Sequence, residues 1–147
     1  MAIARRRAQT IWTGSTARGS GRLQVDSGAF PNLPLTFAAR RGQAEGKTSP
    51  EELIAAAHSA CYAMALSARL TQAGTPPDEL TVEAICTLDR LDEAYLIRTI
   101  ELTVRGRVPG AAAAAFARAA MDAKESCPVS KALRGNVEIR LDAALVE

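Results

Sequence analysis

Aromatic side chains are scarce in this chain, amounting to 4% of its 147 residues, with one tryptophan, two tyrosines and three phenylalanines. Stacking platforms for single-stranded nucleic acid therefore have little to be built from. Histidine occurs once, as His58, which rules out a histidine-rich metal site. Neither sign of charge is in excess, and a formal net charge of +2 is too small to imply a nucleic-acid or membrane partner. Arg5, Arg6 and Arg7 form the one basic run, read as a solvated tail. No apolar stretch approaches the length of a membrane span, and no hydrophobic segment follows those arginines as a secretory signal requires. The expected location is the cytosol. Cysteine is sparse too. Three thiols in a reducing compartment do not make a structural disulfide framework; they are read as buried, metal-ligating or redox groups.

What is present fits one ordinary globular domain over residues 1–147, with 48% hydrophobic and 23% charged residues. Gln9 to Thr13 and Arg22 to Ser27 alternate in polarity about a Gly-, Ser- and Thr-rich stretch, predicting a hairpin. Leu35 to Ala39 is predicted as a third strand. Ser49-Pro50-Glu51-Glu52 then reads as a helix start, with an N-cap, a proline at the first helical position and a capping box. That helix runs through Cys61 to Ala73 and is closed by Gly74. Leu80 to Leu88 and Tyr95 to Val108 read as two long strands, Ala111 to Lys124 as an alanine-rich helix, Pro128 as the start of a short helix, and Val137 to Leu141 as a closing strand. The order predicts an α+β fold, with helices gathered against a mainly antiparallel sheet.

Cys61 lies mid-helix among Ala55, Ala56, Ala57, Ala60, Ala63 and Ala65, whose small side chains suit a central, closely packed helix. Such a cysteine is commonly an inert core residue, and it reacts at neutral pH only if its surroundings lower its pKa. Cys127, in Ser126-Cys127-Pro128, opens a short helix, where backbone N–H groups stabilise a thiolate; it could also serve as a cap. Two such thiols suit a chemistry in which one attacks a peroxide oxygen, becomes a sulfenic acid and condenses with the other. Cys86 sits in an apolar strand and is read as packing. His58, one helical turn before Cys61, invites a Cys–His pair, but neighbours at that spacing lie side by side rather than facing each other. A zinc site from three cysteines and His58 would need four ligands to converge without any CxxC spacing, so no metal is expected.

The run TSPEELIAAAHSACYAMALS, Thr48 to Ser67, resembles the signature segment of the osmotically inducible protein C and organic hydroperoxide resistance (OsmC/Ohr) family. KESCPVSKAL, Lys124 to Leu133, resembles its second signature, and the likeness extends from Ala8-Gln9-Thr10-Ile11-Trp12 to the final strand. His58 points to the OsmC branch, since an aromatic residue is usual there in the other.

The resemblance implies an OsmC-like fold, a sheet packed on a central cysteine-bearing helix, and an intertwined homodimer. It also implies a thiol-dependent peroxidase that reduces organic hydroperoxides without haem, flavin or metal cofactor, with an external dithiol or a lipoylated protein as reductant. By position, Cys61 matches the peroxidatic cysteine, Cys127 the resolving cysteine and Glu51 the active-site glutamate. The family's arginine closes the third strand. Counting from Phe37 gives Arg40, and counting back from Glu51 gives Arg41, because the intervening loop is one residue longer than in many relatives; Arg40 is preferred. A guanidinium beside Cys61 favours its thiolate, and Glu51 would orient that guanidinium through a bidentate pair. Without the resemblance, Glu51 reads as serving only the helix dipole. Two other readings stand beside this one: a family member without peroxidase activity that binds a ligand or acts in stress storage, and a nucleic-acid-associated protein using Arg5 to Arg7.

Overall fold

A computed structural model describes residues 1–147. The chain divides into two compact units, Met1–Pro50 and Glu51–Glu147.

In the first unit, β1 (Ala8–Thr13), β2 (Ser20–Val25) and β3 (Leu33–Leu35) form an antiparallel sheet in that order. The predicted hairpin is present, with Ala8 opposite Val25 and Trp12 opposite Gly21. Gly21 is needed for that pairing, because a Cβ there would lie 2.9 Å from the Trp12 ring. The predicted third strand is displaced. β3 ends at Leu35, and Phe37–Arg41 forms a short helix, α1. Thr36 explains the switch: its Oγ1 accepts from the Ala39 N–H at 3.1 Å and caps the helix. Arg40 and Arg41 therefore stand in the last turn of a helix rather than at the end of a strand.

The second unit is built on α2 (Pro50–Gln72), which starts where the Ser-Pro-Glu-Glu signal places it. Gly74, at φ +81°, ends it, with Thr75 N–H bonding to the Leu70 carbonyl at 3.0 Å and Gly74 N–H to that of Thr71 at 3.0 Å. Its buried residues His58, Tyr62, Leu66 and Leu70 fall on one narrow stripe, four residues apart. The rest is alanine-rich and largely open, and α2 is long and apolar enough to cross a membrane by length and composition. Sequence reading by runs of bulky apolar residues passed over this, because small alanines carry the hydropathy.

β4 (Glu79–Leu91) and β5 (Ala94–Arg107) form a long antiparallel hairpin, turning at Asp92, φ +53°. β6 (Glu138–Leu145) pairs with β5 in parallel, so this sheet is mixed. A parallel neighbour requires a crossover, and α3 (Ala113–Ser126) and α4 (Pro128–Leu133) supply it. Ile100, Leu102 and Val104 alternate inward on β5 and join Tyr62, Leu66, Leu70, Phe116 and Ala120 in one core. Each large apolar side chain so buried contributes about 1.5–3 kcal/mol. Gly106 lets α3 approach the sheet, since a Cβ there would meet the Phe116 ring at 2.8 Å. Strands and helices thus form the α+β arrangement expected, and Cys127 occupies the joint between the two crossover helices.

Candidate active site

Cys127 is fully buried, the C-cap of α3 and the N-cap of α4 at once. Its backbone N–H bonds to the Ala123 carbonyl at 2.8 Å, while its side chain makes no cap hydrogen bond. The thiol is therefore not a helix cap. It lies instead beside Cys61 of α2, and the two thiols interact through a side-chain hydrogen bond, both sulfurs being free. Two cysteines far apart in sequence are thus brought together.

The sequence assigned the α4 backbone N–H groups to Cys127, but the one at Val129 serves Cys61. Burial, the hydrogen bond to Cys127 and the charge of Cys127 push the Cys61 thiol up, and the Val129 N–H acts the other way; the net effect is a pKa above its ordinary value.

Two side chains of the buried α2 stripe hold this arrangement. His58 Nε2 lies 2.8 Å from Ser130 Oγ on α4. Tyr62 donates its hydroxyl to the Ala120 carbonyl of α3 at 2.8 Å. His58 thus turns toward α4, and burial lowers its pKa, favouring the neutral ring. Tyr62 and Ser130 were not singled out in the sequence. Tyr62 reads there as one more core residue, and the signal for Ser130 was its place one turn beyond Cys127.

Glu51, in the first turn of α2, is only 7% exposed. Its charge reaches Cys86 on β4, whose thiol is pushed up by burial first and by Glu51 second. Cys86 is thus disfavoured as a nucleophile, in keeping with packing. Arg40 and Arg41 belong to the first unit, where the Arg41 guanidinium lies 5.5 Å from the centre of the Phe37 ring.

A family model described as OsmC-like protein matches residues 42–142, spanning both cysteines and Glu51. The chain belongs to the OsmC family. It is 39% identical over 140 residues to the peroxiredoxin OsmC of Escherichia coli (strain K12), covering 95% of this chain and 96% of that protein. It is 32% identical over 118 residues to the organic hydroperoxide resistance protein OhrA of Bacillus subtilis (strain 168), covering 79% of this chain and 77% of that one. The greater likeness to the former accords with His58 as a mark of the OsmC branch. The crystal structure of an organic hydroperoxide resistance protein OsmC from Legionella pneumophila superposes with a TM-score of 0.79 at 22% identity, covering 98% of this chain and 99% of that one. The Bacillus subtilis OhrB structure does so with 0.74 at 24% identity, covering 93% and 97%. These two likenesses establish the OsmC-type fold.

Proposed function

We propose that this OsmC-family chain, a cysteine-based enzyme of the peroxidase type, reduces organic hydroperoxides to alcohols with Cys61 as nucleophile and Cys127 as resolving thiol. The observation that carries the reading is the meeting of the two thiols, one on α2 and one at the α3–α4 joint. The Cys61 thiolate attacks the terminal peroxide oxygen; the O–O bond breaks, the alcohol leaves with a proton, and Cys61 becomes a sulfenic acid. Cys127 sulfur then attacks the Cys61 sulfur, water leaves, and a disulfide forms. A dithiol or lipoylated protein in the cytosol returns both thiols, and no metal or organic cofactor takes part.

Because burial and Cys127 raise the Cys61 pKa, the reaction at neutral pH needs a cation to favour the thiolate. Arg40 is assigned that role, with Glu51 holding its guanidinium. The two units act as parts of one domain, a reading supported by the Escherichia coli relative, which aligns across both. The working species is an intertwined homodimer. Support comes from the open apolar stripe Ala56, Ala60 and Met64 on α2, with Met64 68% exposed, a surface suited to close approach by a second helix.

A peroxide-consumption assay driven by a dithiol tests the reading, comparing cumene, tert-butyl and hydrogen peroxides. Wild-type protein should turn over the two organic peroxides faster, and Cys61→Ser should turn over none. Normal turnover by Cys61→Ser, or none by wild type, overturns it.

A further inference from the structure

His58 and Ser130 are 0% and 2% exposed, and His58 Nε2 and Ser130 Oγ meet at 2.8 Å. The second ring nitrogen of His58, Nδ1, is buried without a hydrogen-bond partner. A buried ring that leaves one nitrogen unsatisfied is a poor choice for packing alone, since an apolar side chain would avoid the desolvation cost. Its position indicates what the contact does. His58 stands one turn before Cys61 on α2, and Ser130 one turn after Cys127 on α4. Val129, whose N–H bonds to Cys61, immediately precedes Ser130. On the other flank, Tyr62 follows Cys61 and bonds to Ala120 of α3, before Cys127. The two cysteines are thus bracketed by two buried interhelical hydrogen bonds.

We infer that His58, through Ser130, is a positioning residue for the resolving step, fixing α4 against α2 so that Cys127 meets the Cys61 sulfenic acid before a second peroxide does. The inference rests on the two-cysteine cycle proposed above. Two reactions compete for the sulfenic acid. In one, Cys127 attacks the Cys61 sulfur, a disulfide forms and water leaves. In the other, a second hydroperoxide transfers an oxygen, giving a sulfinic acid and another alcohol. The first requires two sulfurs held in line, and displacing reacting groups by about 1 Å can cost about a hundredfold in rate. The second depends only on peroxide concentration. The pair should therefore set the partition between them, and touch the first attack only through the Val129 N–H on Cys61.

The test titrates reduced protein with cumene hydroperoxide and measures, by mass spectrometry, disulfide against Cys61 sulfinic acid. Loss of the contact in His58→Phe or Ser130→Ala should lower the peroxide concentration giving half over-oxidation by about tenfold or more, while the rate of first peroxide consumption stays within about threefold. His58→Gln, whose amide can reach the place of Nε2, should restore most of the partition. Leu70→Ala, a core change on the same helix remote from the cysteines, should lower the melting temperature and leave the partition alone. Should His58→Phe fail to fold, Ser130→Ala, which removes a single hydroxyl, decides the matter. Wild-type partition in the folded variants overturns the inference while leaving the two-cysteine cycle standing. Wild-type protein that never forms the Cys61–Cys127 disulfide overturns that cycle, and the inference with it.

Discussion

The Glu51 carboxylate bears on the Cys86 thiol, adding its negative charge to the effect of burial and pushing that thiol's pKa above its ordinary 9.0. A thiol so placed holds its proton when Cys61 must lose one, and should take no part in turnover. We expect Cys86→Ser to keep kcat/KM within about twofold while costing about 1–2 kcal/mol of stability, because a hydroxyl replaces a half-buried sulfur. Unfolded, Cys86 ionises near pH 9.0; folded, it does so at a higher pH. Its contribution to stability is therefore full below about pH 9.0, its unfolded value, and is lost as pH rises through the folded pKa. Melting curves should show a shallower alkaline decline for Cys86→Val than for wild type. Lost turnover at unchanged stability would instead make Cys86 the resolving thiol.

Removing Cys127 separates the two halves of the cycle. Cys127→Ser should consume about one equivalent of hydroperoxide per chain quickly, leaving Cys61 as a sulfenic acid, and with excess peroxide a second equivalent more slowly as that acid becomes sulfinic. Mass spectrometry after a stoichiometric dose reads this directly. Sustained dithiol-driven turnover by this variant would mean that the reductant attacks the sulfenic acid itself.

Much of this architecture was legible in the sequence because its signals are local. Ser49-Pro50 marks where α2 starts and Gly74 where it ends, and Pro128 starts α4 through its fixed φ. The third strand was misread because Thr36, a β-branched residue in an apolar run, acts through its hydroxyl as a cap for α1. The parallel placement of β6 is a tertiary choice that no local pattern encodes. At the site, the two signatures name Cys61 and Cys127, but the recipient of the Val129 N–H depends on how α4 docks on α2. The same holds for His58, whose partner lies on another helix altogether.

The choice between Arg40 and Arg41 can be made by chemistry. Both lie in the last turn of α1, and Arg41 stacks its guanidinium over Phe37. If Arg40 is the cation that favours the Cys61 thiolate, Arg40→Ala should move the midpoint of iodoacetamide alkylation at Cys61 upward by about one pH unit or more. Peroxide reduction at neutral pH should fall about tenfold, since the thiolate fraction falls with each unit. Arg41→Ala should move neither by more than a few tenths of a unit. The opposite pattern transfers the role to Arg41.

Glu51 and Cys61 lie on one helix, and the intervening turns separate them by about 15 Å at about 1.5 Å per residue. A glutamate side chain cannot span that distance along its own axis, so Glu51 cannot reach the Cys61 of its own chain through α2. If it serves the reaction, it should do so at the cysteine of a second subunit, together with Arg40 of its own chain, and the open alanine face of α2 suits the close helix contact this needs. Subunit complementation tests the point. Chains carrying Cys61→Ala and chains carrying Glu51→Ala are co-expressed with different tags, and the mixed dimer is purified through both. In a shared site, one of the two centres then combines an intact Cys61 from one chain with an intact Glu51 from the other. Activity should return to about half that of wild type, because one site in two is complete, with each parent homodimer well below that level. A mixed dimer no more active than the sum expected from its parents would confine Glu51 to its own chain, where its effect is on Cys86 and the start of α2 rather than on the reacting sulfur.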